Sequence, residues 1–258
     1  MIDLVKRGSE TARNGFKNEK DIANKFNLWE QDEDAQKWLN IMGYILKDID
    51  KVEAITFGTG YKTDVQVVVY IEAKKKKDVQ NISIKLVSNL RGFNQIDKRW
   101  IVKPSSINSS KGVTYKKLWE FDSNIEELLK RFTGQVKPVI ETRDSRRMFL
   151  DEFASNDQDV LINWIEKNRL LIVSDTLKGR EPFSASWMLV AQKIEHNQRW
   201  VLKPINVVMN HFNDGCIKIT PRGSLKIGKI TMQRKGGDGG RPSANMLQFK
   251  INPAELFD

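Results

Sequence analysis

The chain has 258 residues, 40% of them hydrophobic and 29% charged, a balance that leaves room for a sizeable core and excludes an intrinsically disordered protein. The 43 Lys and Arg against 33 Asp and Glu give a formal charge of +10, which makes a polyanion, nucleic acid first, the partner to consider. One cysteine, Cys216, and two histidines, His196 and His211, exclude an internal disulfide and a zinc site built from Cys and His. No stretch joins a polybasic face to an exposed apolar one, so a membrane surface is disfavoured. "MIDLVKRGSE" leads into no long apolar run, and nothing approaches the ~20 apolar residues that span a bilayer. The expectation is a soluble protein of a reducing cytoplasm.

In chain order, "NGFKNEKDIANKFNLWE" predicts an amphipathic helix, with Ile22, Ala23, Phe26 and Trp29 recurring at three- and four-residue steps. Glu19 lies on or beside that inward stripe, either as a helix-edge acid or as a carboxylate aimed into a site. A second helix, "DAQKWLNIMGYIL", leads to a strand at "VEAITFG". "TDVQVVVYIEA" is a strand of nearly continuous β-branched character. A turn is expected at residues 75–79, with "NISIKLVSN" as the hairpin partner. A polar and basic loop follows, carrying Arg91, Phe93, Asn94, Gln95, Asp97 and Lys98. "KPSSINSSKG" reads as a mobile Ser/Asn/Lys loop and "NIEELLKRF" as a helix, and a soft boundary near 133 separates residues 1–132 from 133–258. "DSRRMFLDEFA" and "DQDVLINWIEKN" read as helices, "RLLIVSD" and "SWMLVAQKI" as strands. From Cys216 to Ile251 eight lysines and arginines stand against Asp238 alone. Helices followed by a meander point to an α+β core with a mixed sheet.

Metal-assisted phosphodiester hydrolysis needs a carboxylate to hold a divalent ion against the phosphate and an ammonium to orient water. Asp64 with "EAK" matches the acid-x-Lys string, but eight strand steps put Asp64 and Glu72 roughly 26 Å apart, too far to share an ion. Asp64 with Ser83 and Lys85 is the second possibility. Ser83 and Lys85 share a strand face, while a symmetric hairpin would set Asp64 opposite residue 89, so convergence requires a bend or bulge at Asp64.

"GFKNEKDIA", "GYKTD", "IKLVSNLRGFNQIDKRW" and "QRKGGDGGRPSANMLQFKINPAELF" closely resemble the monomeric type II restriction endonucleases of the HinP/MspI group, from the first helix to the last strand. That group belongs to the PD-(D/E)xK nuclease superfamily. The resemblance implies a restriction-endonuclease-like mixed sheet flanked by helices, a catalytic first part and a basic DNA-recognition second part. It also implies Mg²⁺ as cofactor, with Mn²⁺ as a substitute. Carried over, Asp64 is the metal-binding carboxylate and Lys85 the catalytic lysine. Ser83 departs from the pattern, since most of the superfamily has an acid there and these relatives an amide. Glu19 and the backbone carbonyl of Ile84 are the groups left to complete the metal sphere.

The same resemblance makes Arg91, Phe93, Asn94, Gln95 and Lys98 a DNA-probing segment, with Phe93 and Gln95 in the positions that intrude among the bases. Gln233, Arg234, Lys235, Asp238 and Arg241, spaced by glycines, suit major-groove reading of G·C pairs, with GCGC as the leading site. The expected activity is Mg²⁺-dependent cleavage of double-stranded DNA by a monomer, with a cognate DNA methyltransferase in the same system. Two alternatives remain open: a nicking enzyme or one subunit of a heteromeric nuclease, because of Ser83, and a DNA-binding protein without catalysis.

Overall fold

The computed structural model describes residues 4–58, 61–72, 75–102, 115–194, 197–236 and 244–258. The chain forms two compact units, residues 1–94, 177–209 and 252–258 in the first, 95–176 and 210–251 in the second. The chain therefore passes between them four times, and not once near 133. Residue 133 closes a helix inside the second unit.

The first unit is built on a five-stranded sheet of order β1-β2-β3-β5-β6: β1 Lys51–Thr56, β2 Val65–Ile71, β3 Lys76–Val87, β5 Trp187–Ile194 and β6 Asn197–Pro204. Only β3 and β5 run parallel; the other pairs are antiparallel, so the sheet is mixed as expected. Helix α1, Leu4–Asn27, starts ten residues earlier than its apolar periodicity indicates and lays Ile22, Ala23 and Phe26 on the sheet. Val65, Val67, Val69, Ile82 and Ile84 form the sheet's side of that core. Helix α2, Glu33–Ile41, is capped by Asp32, whose side chain accepts from the Ala35 N–H, and adds Trp38 and Leu39 to the core. β1 is an edge strand with unpaired backbone groups, and Asn27 covers part of that edge. Its amide donates to the Ala54 carbonyl at 3.0 Å and accepts from the Ala54 N–H at 2.7 Å. That bidentate clasp also fixes α1, and so the position of Glu19 two turns earlier.

The second unit carries a wholly antiparallel run, β10-β9-β8-β7, with β4 added beside β10. These strands are β4 Asn94–Arg99, β7 Ile217–Ile219, β8 Leu225–Ile227, β9 Ile230–Arg234 and β10 Leu247–Ile251. Helices α3 Tyr115–Leu118, α4 Ser123–Thr133 and α5 Ser155–Leu177 belong to this unit apart from the last residue of α5, and α6, Ile205–Asn213, spans a passage between units. Two expectations fail here. "RLLIVSD" is the second half of α5, because no Gly or Pro interrupts the helix begun at Ser155. Its buried Leu161, Ile165, Asn168, Ile172 and Thr176 continue a three- and four-residue stripe. "DSRRMFLDEFA" makes an isolated bridge from Asp144 to Arg147 and a short 3₁₀ turn, Leu150–Glu152, instead of a helix.

Candidate active site

Asp64, Ser83 and Lys85 come together at the point where β2 and β3 part. β2 ends at Ile71 and β3 already begins at Lys76, after Lys75 at φ 48°, so Lys76 and Lys77 are strand and the register pairs Val65 with Ile82. Asp64 therefore stands one step further on, beside Ser83. The offset expected from a turn at 75–79 disappears, and the remaining local change is a bend at Asp64 itself.

The last rung of the ladder is the Asp64 N–H donating to the Ile82 carbonyl at 2.9 Å. Beyond it the Asp64 carbonyl turns to the Phe57 N–H at 2.9 Å, and the Ile84 N–H is taken by the Asp64 carboxylate at 2.5 Å. The side chain thus replaces a missing backbone acceptor, which holds it between the strands. The same oxygen, Oδ2, accepts from the Ser83 hydroxyl at 3.2 Å and lies 3.4 Å from the Lys85 ammonium. Lys85 Nζ donates to the Ile84 carbonyl at 2.8 Å. Ser83 is 3% exposed, and Asp64 and Lys85 are mostly covered.

Glu19 belongs to the same electrostatic neighbourhood. Burial, and then the negative charge of Asp64, raise its pKa from 4.5 to about 7, with Lys85 opposing. Two mutually repelling carboxylates beside a carbonyl and a hydroxyl are hard oxygen donors of the kind Mg²⁺ takes, usually through one or two carboxylates plus water. No group of three or more His, Cys, Asp or Glu placed to hold a metal ion together is present among the described residues. The donor set therefore fits Mg²⁺ with a sparse protein share.

Nothing in the spacing of residues along the chain points to the groups that hold this bend. Thr63 donates its hydroxyl to the Phe183 carbonyl at 2.8 Å, and Asn81 donates to the carbonyls of Pro182 and Ser184 at 2.9 and 3.0 Å. Phe57, Tyr61 and Phe183 pack their rings 4.7–5.9 Å apart behind it. Each partner is about a hundred residues away, so spacing along the chain carries no trace of it.

The expected DNA-contacting residues divide. In the first unit Arg91 is exposed, Phe93 is 57% exposed and Asn94 half-buried. Gln95 and Lys98 lie exposed on β4, which is strand and not loop, because residues 94–99 pair into the second unit's sheet. Gln233 and Lys235 are half-buried. Arg234 differs from the expectation of an open reading residue. It is 5% exposed, ion-paired to Asp144 at 3.4 Å, and donates to the side-chain amide oxygen of Asn245 at 3.3 Å. Strand alternation places it beside Met232 on the covered face of β9. Asp238 and Arg241 lie outside the described residues, as does the 103–112 loop.

A family model, the R.HinP1I restriction endonuclease, matches residues 42–257. No curated protein matches the chain.

Proposed function

Because the chain belongs to the R.HinP1I restriction endonuclease family, it is a type II restriction endonuclease, a site-specific deoxyribonuclease, and from that premise we propose that it hydrolyses double-stranded DNA with Mg²⁺ at a short G/C-rich site. The observation that carries the mechanism is the meeting of the Asp64 carboxylate and the Lys85 ammonium, 3.4 Å apart at the parting of β2 and β3.

Asp64, Glu19 and the Ile84 carbonyl would hold the ion, with the Ser83 hydroxyl as a further oxygen. Mg²⁺ bound there supplies charge neutralisation at the phosphate and acidifies a water. Lys85 orients the attacking water. That water forms the new P–O bond as the bond to the leaving oxygen breaks, with no covalent enzyme intermediate. The Ile84 N–H and Ser83 hydroxyl hold the Asp64 carboxylate fixed in direction. Mn²⁺ is an acceptable substitute.

Phe93, more than half exposed, is positioned to wedge between bases, as apolar side chains do when they kink a duplex, while Arg91, Asn94, Gln95 and Lys98 probe the same stretch. Gln233, Lys235, Asp238 and Arg241 read base edges from a stem anchored by Arg234. GCGC or a related sequence is the proposed site. The enzyme acts as a monomer in the cytoplasm, beside a methyltransferase of the same specificity. No described helix is long and apolar enough to cross a membrane.

Digestion of a phage DNA of known sequence, with the ends mapped, tests this reading. Ends at one short G/C-rich sequence are expected; ends scattered or at A/T-rich sites would contradict it. Ser83 supplies a specific reason for a second reading, strand nicking, since it brings no second acid. Supercoiled plasmid halting at open circles would favour nicking, and rapid conversion to linear product favours double-strand cleavage.

A further inference from the structure

The sheet of the second unit has a polar face on which opposed residues line up in two rows. Opposed residues of paired strands share a face. The pairs Lys218–Lys226, Lys226–Thr231 and Thr231–Lys250 therefore form one row across β7, β8, β9 and β10. Two residues along, Gln233 stands opposite Gln248. Hydrogen bonds carry this second row on to β4: Gln233 Nε2 donates to Gln248 Oε1 at 3.2 Å, and Gln248 Nε2 donates to Gln95 Oε1 at 2.7 Å. The opposite face is mainly apolar, with Leu225, Ile227, Ile230, Met232, Leu247 and Phe249 each at most 1% exposed and Arg234 buried at its end. Neither row contains an acid.

Three amides joined head to tail have a property that does not depend on which way the chain of bonds runs. The middle amide uses its oxygen on one side and its NH₂ on the other. The two outer amides are then left with opposite groups turned outward, an NH₂ at one end and a carbonyl oxygen at the other. A base pair shows a complementary set in the major groove: guanine O6 beside the cytosine N4 amino group, or thymine O4 beside the adenine N6 amino group. Gln248 is 8% exposed and holds the centre, while Gln95 is exposed and Gln233 half-buried.

We propose that Gln248 is a positioning residue for sequence recognition. It fixes the amide orientations of Gln95 and Gln233 so that the two read base edges as one donor and one acceptor, with Lys218 and Lys226 of the adjoining row on flanking phosphates. This rests on the reading of the enzyme as cutting at one short sequence, and it names the device that would set part of that sequence. Lysines beside amides divide the labour as DNA-binding proteins do, charge for position and amides for identity.

The test is the cleavage rate on duplexes in which the mapped wild-type site is changed one base pair at a time. Gln248→Met removes both hydrogen bonds at similar volume. Gln248→Glu accepts from both neighbours and forces both outer amides to turn oxygens outward. Gln248→Met should lower the preference for the cognate base pair at one position on the order of 10- to 100-fold, the discrimination carried by one good base contact, and leave other positions unchanged. Gln248→Glu should shift the preference at that same position. Folded variants with wild-type ratios throughout, or with an equal loss at every position, would overturn the proposal. Should Gln248→Met fail to fold, Gln95→Ala and Gln233→Ala carry the test: loss of discrimination at the same base pair supports the relay, and loss at unrelated pairs or none refutes it. A wild-type enzyme with no fixed site would remove the functional reading itself, before any variant is compared.

Discussion

Glu19 carries the most perturbed carboxyl near the site, and its protonation ties stability to pH. Its pKa rises from 4.5 in the unfolded chain to about 7 in the fold, through burial first and the neighbouring Asp64 second. Between those values the folded state holds more protons than the unfolded state, so stability falls as pH rises through that window. The melting temperature of the metal-free protein should therefore decline across it, and Glu19→Gln, neutral and similar in shape, should flatten the decline. An unchanged slope in the variant would show that Glu19 is not the responsible group. Asp144 works in the opposite sense. The Arg146 guanidinium, with Arg147, holds its pKa at about 2, below the ordinary 3.8, so its contribution is present above that ordinary value and lost as pH falls towards 2. Asp144→Asn leaves the buried Arg234 short of its counter-charge and should cost on the order of 1–3 kcal/mol, measured by urea unfolding at neutral pH.

At the level of elements, what was legible in the sequence depended on whether the signal was local. β2 announces itself by its β-branched run, and the inward stripe of α1 by its period. The sequence alone places the turn at 75–79, too late, because four consecutive lysines resemble a solvated turn. Lys76 and Lys77 are nonetheless tolerated in a strand when their side chains face solvent. That shift of a few residues decides the site, since it places Asp64 beside Ser83 without a bulge. A short apolar run carries both periods, so the sequence of α5 alone reads as helix then strand. Asn81, Thr63 and Gln248 look like unremarkable strand and turn polars, and their roles exist only through partners far along the chain. α4 shows a terminus that could be tested directly. Gly134 closes it at φ +81°, its N–H donating to the Lys130 carbonyl at 2.9 Å, and a Cβ there would come within 2.7 Å of the Arg146 carbonyl oxygen. Gly134→Ala should lose about 1–3 kcal/mol in thermal or urea unfolding; a variant as stable as the parent would mean the turn can relax.

For the whole molecule, the formal charge of +10 sets how DNA is approached. Binding should weaken steeply with salt, by about 10³- to 10⁵-fold between 50 and 200 mM if 6–10 phosphates are contacted. A flat salt response in a binding titration would show that the basic excess is not spent on the duplex. A division into two parts was legible, but the boundaries of the two units were not, because each unit is assembled from separated segments of the chain. The measurement closest to the core of this account compares plasmid cleavage by the wild type, Asp64→Ala and Lys85→Ala under saturating Mg²⁺, with DNA binding followed in parallel. Both variants should bind the duplex within a few-fold of the parent and cut it at least about a thousandfold more slowly, the loss expected when an essential charged group leaves a phosphoryl-transfer site. Cleavage by either variant at the parent's rate would place the chemistry elsewhere in the molecule.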